Sequence, residues 1–446
     1  MLEAKYLQVR PLFEPTSLES DPAVAAARKL IVAAATQIIA AVQSPVEYLQ
    51  NGVSGMFDTL TLGFVIDVNV PEILKEAGTE GLHVKELALA AGVDSSYLAR
   101  VLRYLATRHV FKEVSPDVFA HNRLSSLLTK AKSLKEIKEG YVALHGSCRS
   151  TQWFDRFRPQ NARFDNAAMP AFLHLASDEL FKSSTALIPF MKNPQEAAAP
   201  FNIAYQTTKK MWEWTEEPGN EYSSRRFTAA MKNTAEASYP PELFTSNIDG
   251  DALKANETIV DVGGGVGSVT LALRNAYPKL RYVVQDLEQQ IFWEEKNPEA
   301  VKTGQVQLQA HNFFNPQPIK NAAIYFLRLI VHNWPDQDAI KILTNVRSAA
   351  GADSKLVLFE MLAKHVAEED TFTNSGSGPG APYPLLPNYG IAGAGFFTTL
   401  DLALLTMYNG KERTYAEYTE LGLKSGWKLQ EVRPGKLSTF IYSPIR

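Results

Sequence analysis

The stretch Thr258–Leu273, TIVDVGGGVGSVTLAL, limits what this chain can fold into more than any other part of it. A β-branched run ends in Gly263, Gly264, Gly265 and Gly267, and a helix-forming run follows at once. This order marks a strand–turn–helix joint. Glycine reaches positive φ there, and its missing side chain lets backbone N–H groups approach a ligand at the helix N-terminus. The turn reads Gly263-x-Gly265-x-Gly267, with Ser268 where the dinucleotide fingerprint wants its third glycine. No G-x-x-x-x-G-K-S/T phosphate loop occurs either. The spacing suits a cofactor that has no pyrophosphate to cradle.

The same alternation runs through residues 251–446. Apolar runs predict strands at Thr258–Val262, Tyr282–Gln285, Val306–Ala310, Ala323–Leu327 and Leu356–Phe359, with a late pair at Lys428–Arg433 and Ser438–Tyr442. Continuous apolar strands joined by helical crossovers specify an α/β fold: a doubly wound, mostly parallel sheet of seven strands covered on both faces. Ligands on such sheets bind at the carboxyl ends of the strands, so the chemistry is expected there. The second strand ends in Gln285-Asp286-Leu287, which puts a carboxylate 25 residues after Asp261. That carboxylate could accept both ribose hydroxyls of a nucleoside, or cap a helix. The third strand runs into His311-Asn312-Phe313-Phe314. Asn312 could pair with an adenine edge while Phe313 packs on its face, although alone both would pass for loop residues.

At 446 residues and 45% hydrophobic, the chain has length for two or three domains and apolar mass for real cores. Residues 1–150 read as mostly helical. His83–Gly92 and Ser95–Val110, the latter capped by Ser95, form a helix–turn–helix, and Val110–Asn122 a two-stranded wing around Ser115-Pro116-Asp117. Leu98, Val101, Leu102 and Leu105 make the core face of the second helix, and Arg100, Arg103 and Arg108 lie along it. A winged helix of this kind suggests DNA, but residues 1–150 hold 16 basic and 16 acidic side chains, without the surplus that phosphate contacts need. A dimerisation or scaffold role fits better, and no nucleic acid is expected. Residues 151–250 form a helical, aromatic-rich linker and pocket region, from which Met211 and Trp212 are drawn as candidate walls for a flat ligand. The run Leu30–Val42 is too short and too interrupted for a membrane span, and reads as a buried or dimer-forming helix. Ser375–Gly395 carries six glycines and four prolines in 21 residues, and Tyr383, Leu385, Leu386 and Tyr389 favour an ordered flap. The lone Cys148 cannot form an internal disulfide, so a cytoplasmic, reducing location is expected.

Taken in order, VDVGGGVG, DLE, HNFF, FLRLIVHNWPD, VLFEM and NGKERT resemble the class I S-adenosylmethionine-dependent O-methyltransferases of the plant caffeate and fungal secondary-metabolite type. The likeness extends over nearly the whole chain, including the N-terminal winged-helix domain, which in that family serves homodimerisation. It implies that Gly263, Gly265 and Gly267 line the methionine end of the cofactor with Asp261 beneath them. It further implies that Asp286 and Leu287 hold the ribose, that Asn312 and Phe313 frame the adenine, and that Arg328 takes the place of a cofactor-contacting lysine. His332 would be the general base, bracketed by Glu360 and Glu412. The chain departs from the family in having Asn312 where Asp is common and Asn333 where H-D-W is usual.

Methyl transfer to a phenol needs the phenolic proton removed and the acceptor held in line. A neutral imidazole with an ordinary pKa near 6.5 can take that proton. A carboxylate on its far nitrogen would fix the tautomer, as in a catalytic triad. No metal is needed for this chemistry, and His121, His145 and His174 lack metal-ligand spacing. Alone, His332 reads first as a core histidine. Its place just past a strand, Trp334 beside it and two later acids turn the reading to a base. Trp334, Phe397 and Met407 are candidate substrate walls. A second reading keeps the cofactor but has the protein promote dehydration or pericyclisation of a polyketide-like substrate, and loss of the base histidine would favour it.

Overall fold

The computed structural model describes residues 21–137, 163–265, 267–287, 303–367, 380–435 and 437–446, without side chains at 232–238. His145, Cys148 and the 375–379 start of the glycine- and proline-rich segment lie outside them. The chain divides into two compact units. One holds residues 21–25 and Ile39–Ser238, the other Ala26–Ile38 and Tyr239–Arg446. The middle region 151–250 is therefore split at residue 238.

The first unit is helical. After helix α1 (Pro22–Val42), whose middle, Ala26–Ile38, belongs to the second unit, helices α2 (Pro45–Asp67) and α3 (Val70–Ala77) precede a short strand β1 (Leu82–His83), then α4 (Val84–Ala91) and α5 (Ser95–Thr107). Strands β2 (Lys112–Ser115) and β3 (Val118–Ala120) complete a small antiparallel sheet, ordered β1-β3-β2, at the place expected for the wing. The cap of α5 is Asp94, not Ser95: its Oδ1 accepts from the N–H of Ser96 and Tyr97 at 2.8 and 3.3 Å, the stronger arrangement because a full charge meets the helix N-terminus. Leu98, Leu102 and Leu105 are buried with Val65, Leu74, Leu87 and Phe119, whereas Val101 only packs against that core. Arg103 and Arg108 are committed to carboxylates, Arg103 to Asp117 at 2.7 Å and Arg108 to Asp58. Farther along, α6 (Ala168–Leu175) leads into one π-helical turn, and α7 (Glu221–Ser238) packs on α6.

Of the two readings of the Leu30–Val42 run, burial within the chain is not the one found, and a dimer-forming helix is left. Within the single chain only Ala33 of α1 is buried, while Ile31, Ile38 and Val42 are 67%, 61% and 79% exposed. By length and composition, α1 is also apolar enough to cross a membrane, with a mean hydropathy of 1.5, despite the interruptions at Thr36 and Gln37.

The second unit is the predicted sheet. Strands β4 (Thr258–Val262), β5 (Arg281–Asp286), β6 (Val306–Ala310), β7 (Ile324–Arg328), β8 (Lys355–Glu360), β9 (Trp427–Arg433) and β10 (Ser438–Pro444) are ordered β6-β5-β4-β7-β8-β10-β9. Strands β4 to β8 pair in parallel, and β10 inserts antiparallel to both β8 and β9. Helices α8 (Ser268–Ala276), α9 (Asp336–Arg347), α10 (Gly395–Tyr408) and α11 (Tyr415–Lys424) complete the α/β unit. Ile259, Leu273, Tyr282, Val284, Phe326, Val357 and Phe359 form its core, which is why the central strands read as unbroken apolar runs. The order reverses at β4, so the ends of β4, β5 and β7 converge on one crevice.

Of the residues named for the flap, Tyr389 contributes to its fold, its hydroxyl donating to the Gly380 carbonyl at 3.3 Å, whereas two others face outward. Tyr383 is 95% and Leu386 45% exposed. Backbone bonds from Ala381 to Pro387 and from Ala394 to Asn388 also hold the flap. Residues of α1 add to these: Gln37 donates to the Pro384 carbonyl at 2.7 Å, and the Lys29 ammonium sits 3.9 Å from the Tyr389 ring centre.

Candidate active site

Four glycines leave β4 for α8, and Gly263, Gly265 and Gly267 have φ of 74°, 53° and 69°. Only glycine adopts such a run without strain. Their N–H groups do not face a ligand, as the turn motif suggested. Gly263 and Gly264 donate to the Gln285 carbonyl at 2.8 and 3.0 Å, Gly267 donates to Gly264, and Gly265 donates to Asp286 Oδ2 at 2.7 Å. The turn satisfies itself against β5, because an amide pointed at an intermittent ligand would otherwise stand unpaired. Lack of side chains is what the glycines supply: a Cβ at Gly264 would lie 2.5 Å from Asp261 Cγ, while one at Gly265 would enter open space.

Asp261 is buried beneath the turn and accepts from Thr270 Oγ1 at 2.7 Å. Burial pushes its carboxyl up to about 7, against the hydroxyl of Thr270 and the charge of Arg328. Asp286, at the end of β5, has its two oxygens on the N–H groups of Leu287 (2.8 Å) and Gly265, and burial raises its pKa as well. It caps no helix among the described residues. Asn312 uses its Oδ1 for the Phe314 N–H at 3.0 Å, which leaves its amide NH2 as the group able to meet an adenine. Phe313 meets Phe314 and Trp334 edge-on, at 5.1 and 5.8 Å between ring centres, and those two rings pack on each other at 4.7 Å. Arg328 closes β7, its pKa lowered by burial and raised in part by Asp261, Tyr239 and Glu360.

Just past β7, His332 sits in a single 3-10 turn, Val331–Asn333, and is 7% exposed. Its Nδ1 meets Glu412 Oε1 at 2.8 Å, and Glu360 Oε2 is farther, at 4.0 Å. The two acids therefore differ in role. Glu412 holds the ring. Glu360 holds the backbone, its Oε1 accepting the N–H of Ile330 and Val331 at 3.0 and 2.9 Å. Burial lowers the His332 pKa, but the charges of Glu360 and Glu412 and the Glu412 hydrogen bond outweigh it and leave it above the ordinary value. Burial and Glu412 push Glu360 up to about 7, against the opposing pull of His332.

The candidate walls fare differently. Trp334 is 8% exposed and packs on Phe313 and Phe314. Met407 is buried, and Phe397 packs partly buried against the sheet core. Met211 and Trp212 belong to the other unit, where Met211 is 1% exposed and Trp212 meets Phe227 edge-on. Three residues outside the sequence reading complete the site: Thr270 under Asp261, Asp401, whose Oδ1 accepts the Glu412 N–H at 2.7 Å, and Arg413. Only Arg413 carried a signal, as the R of NGKERT. Among the described residues no group of three or more His, Cys, Asp and Glu could hold a metal.

A strand-end crevice under a glycine turn, an acid at the second strand and a carboxylate-held imidazole together match one class of protein. The chain belongs to the O-methyltransferase family, S-adenosylmethionine-dependent enzymes: residues 190–428 match its O-methyltransferase domain and residues 53–131 its dimerisation domain. Among its relatives is 4-O-methyltransferase 1 of the fungus Phanerochaete chrysosporium, 35% identical over 96% of this chain and 90% of that one. The fold is shared with mitomycin 7-O-methyltransferase MmcR, at 22% identity and a TM-score of 0.64 over 91% of this chain and 99% of that one. It is shared equally with a solved structure described as a pericyclic reaction enzyme, at 20% identity and a TM-score of 0.64 over 94% of each.

Proposed function

We propose that this enzyme methylates a phenolic hydroxyl of a small aromatic secondary metabolite, with His332 as general base. The observation that carries the reading is the Glu412–His332 pair. With Nδ1–H donated to Glu412, the imidazole presents its unprotonated Nε2, to which no hydrogen bond is made among the described residues. Nε2 takes the acceptor's proton, and Glu412 stabilises the imidazolium that results. The raised pKa makes His332 a stronger base than free imidazole, at the expense of activity in acid.

The residues at the strand ends fit S-adenosylmethionine. Asp286 would hold the ribose, Asn312 and Phe313 the adenine, and the open space over Gly265 would take the amino-acid tail beside Arg328. When bound, that cofactor supplies an electrophilic methyl group on a sulfonium. The residues of this chain hold the acceptor oxygen, exclude water and accept its proton, and no step calls for a metal. The relative named as a 4-O-methyltransferase supports a hydroxyl acceptor.

The fold shared with a pericyclic reaction enzyme keeps a second reading open, in which the bound cofactor transfers nothing. The intact His332–Glu412 pair favours methylation. Incubation with methyl-labelled cofactor and a panel of phenols separates the two: label in a phenol supports methyl transfer, and product without label supports the other. His332→Ala should bind cofactor normally and lose about 10²–10⁴-fold in turnover. Wild-type turnover in that variant would remove His332 as the base.

A further inference from the structure

The segment that supplies Glu412 also grips the turn that carries His332. Arg413 is fully buried. Its Nη1 donates to the Val331 carbonyl at 2.9 Å and its Nη2 to the Trp334 carbonyl at 2.8 Å, so one guanidinium spans the 3-10 turn from one side of His332 to the other. Its Nε and Nη2 also donate to Asp336 Oδ1 at 2.9 and 2.8 Å, which fixes the plane of the fork. The backbone adds two ties. The Lys411 N–H donates to the His332 carbonyl at 2.8 Å, and the Ala363 N–H donates to the Arg413 carbonyl at 2.9 Å, binding the segment to the chain just past β8. A Cβ at Gly410 would run into the His332 carbonyl oxygen, so the approach is open only to glycine. From the other side, Glu360 takes the N–H groups of Ile330 and Val331.

We propose that Arg413 is a positioning residue for methyl transfer: its planar fork, by bridging the carbonyls of Val331 and Trp334, sets the direction in which the His332 ring points. This rests on His332 being the base. A lysine could reach one carbonyl but cannot hold both and Asp336 in a plane, because its ammonium is a point charge. A misplacement of about 1 Å in such a group lowers turnover about 10²-fold.

The charge of Arg413 has a second effect, since it opposes protonation of the imidazole. Glu360 from β8 and Glu412 and Arg413 from the segment after α10 act on His332 directly, and those three in turn meet Asp336 at the start of α9, Arg328 from β7, Tyr239, and Tyr418 on α11. Of these, Glu360 and Glu412 raise the imidazole pKa and Arg413 lowers it.

The test uses the full-length enzyme with a phenol it methylates, comparing Arg413→Lys, Asp336→Asn and His332→Ala. Arg413→Lys is expected to keep its cofactor affinity by calorimetry and to lose about 10²-fold in kcat, with the acid limb of its pH–rate profile in place because the charge survives. Asp336→Asn keeps an oxygen for the fork but loses the charge that grips it, so kcat should fall, by less than in Arg413→Lys, with cofactor affinity unchanged. Wild-type kcat in Arg413→Lys overturns the proposal. So does a joint loss of kcat, cofactor affinity and thermal stability in that variant, because the arginine would then be holding up the fold and nothing finer. His332→Ala reports separately on the base: if it turns over as wild type, the reading beneath the proposal has failed, whatever Arg413→Lys does.

Discussion

His332 shows how little one residue's chemistry depends on its own identity. Buried alone, an imidazole would hold its proton less tightly; Glu412 at 2.8 Å and Glu360 at 4.0 Å reverse that and raise its pKa. Methyl transfer needs the neutral form, so turnover should fall as pH drops through that raised value, and the acid limb should lie above 6.5. Glu412→Gln tests the cause. Glutamine can still take the Nδ1–H but carries no charge, so the acid limb should move to lower pH while kcat falls by about 10²–10⁴, as the imidazolium loses its counter-ion. A pH–rate profile of kcat/KM reads both changes at once. The sequence showed that two acids follow His332 but not which one touches it. Residues 360 and 412 lie on different elements, and only their packing separates the ring's partner from the backbone's.

At the scale of the element, the joint between β4 and α8 carries the most information per residue. Its glycines were legible as a cofactor turn, yet their N–H groups serve Gln285 and Asp286. Two neighbouring substitutions should therefore behave differently. Gly264→Ala drives a methyl group into the Asp261 carboxylate and should destabilise the protein by about 1–3 kcal/mol through overpacking. Gly265→Ala meets open space and suffers only from its φ of 53°, about 1–2 kcal/mol. Urea unfolding of the two variants compares them. Asp286→Ala removes the anchor expected for the ribose and should weaken cofactor binding by about 1–3 kcal/mol in calorimetry. In the N-terminal unit the helix–turn–helix was legible from spacing, whereas the cap was misplaced by one residue, a common uncertainty at helix ends.

Across the whole molecule, two expectations concern stability and assembly. Asp261 and Glu360 are both raised to about 7, far above an unfolded carboxyl near 4. A group whose folded pKa is raised adds stability below its unfolded pKa and loses it as pH rises through the folded value, and the raised His332 acts in the same direction. The cofactor-free enzyme should therefore melt at a lower temperature at pH 8 than at pH 6, and Asp261→Asn should flatten that slope in a thermal scan. Assembly concerns α1 and α2, where Val42, Leu49 and Val53 are 79%, 69% and 75% exposed in the single chain. The match to a dimerisation domain begins at residue 53. A second copy of the chain is the expected cover, so Leu49→Asp with Val53→Asp should shift sedimentation from dimer to monomer.

Local patterns in the chain were enough to specify the strands, the glycine turn, the acid after the second strand and the family, because each depends on residues adjacent in sequence or spaced at a fixed period. Tertiary structure decided what no local pattern encodes. It settled which carboxylate meets the imidazole, that an arginine fork spans the turn beneath it, that the turn's amides are already spoken for, and that the apolar α1 stays uncovered in one chain. Each of these depends on how residues tens of positions apart are brought together, where the outcome is set by geometry and charge and not by composition.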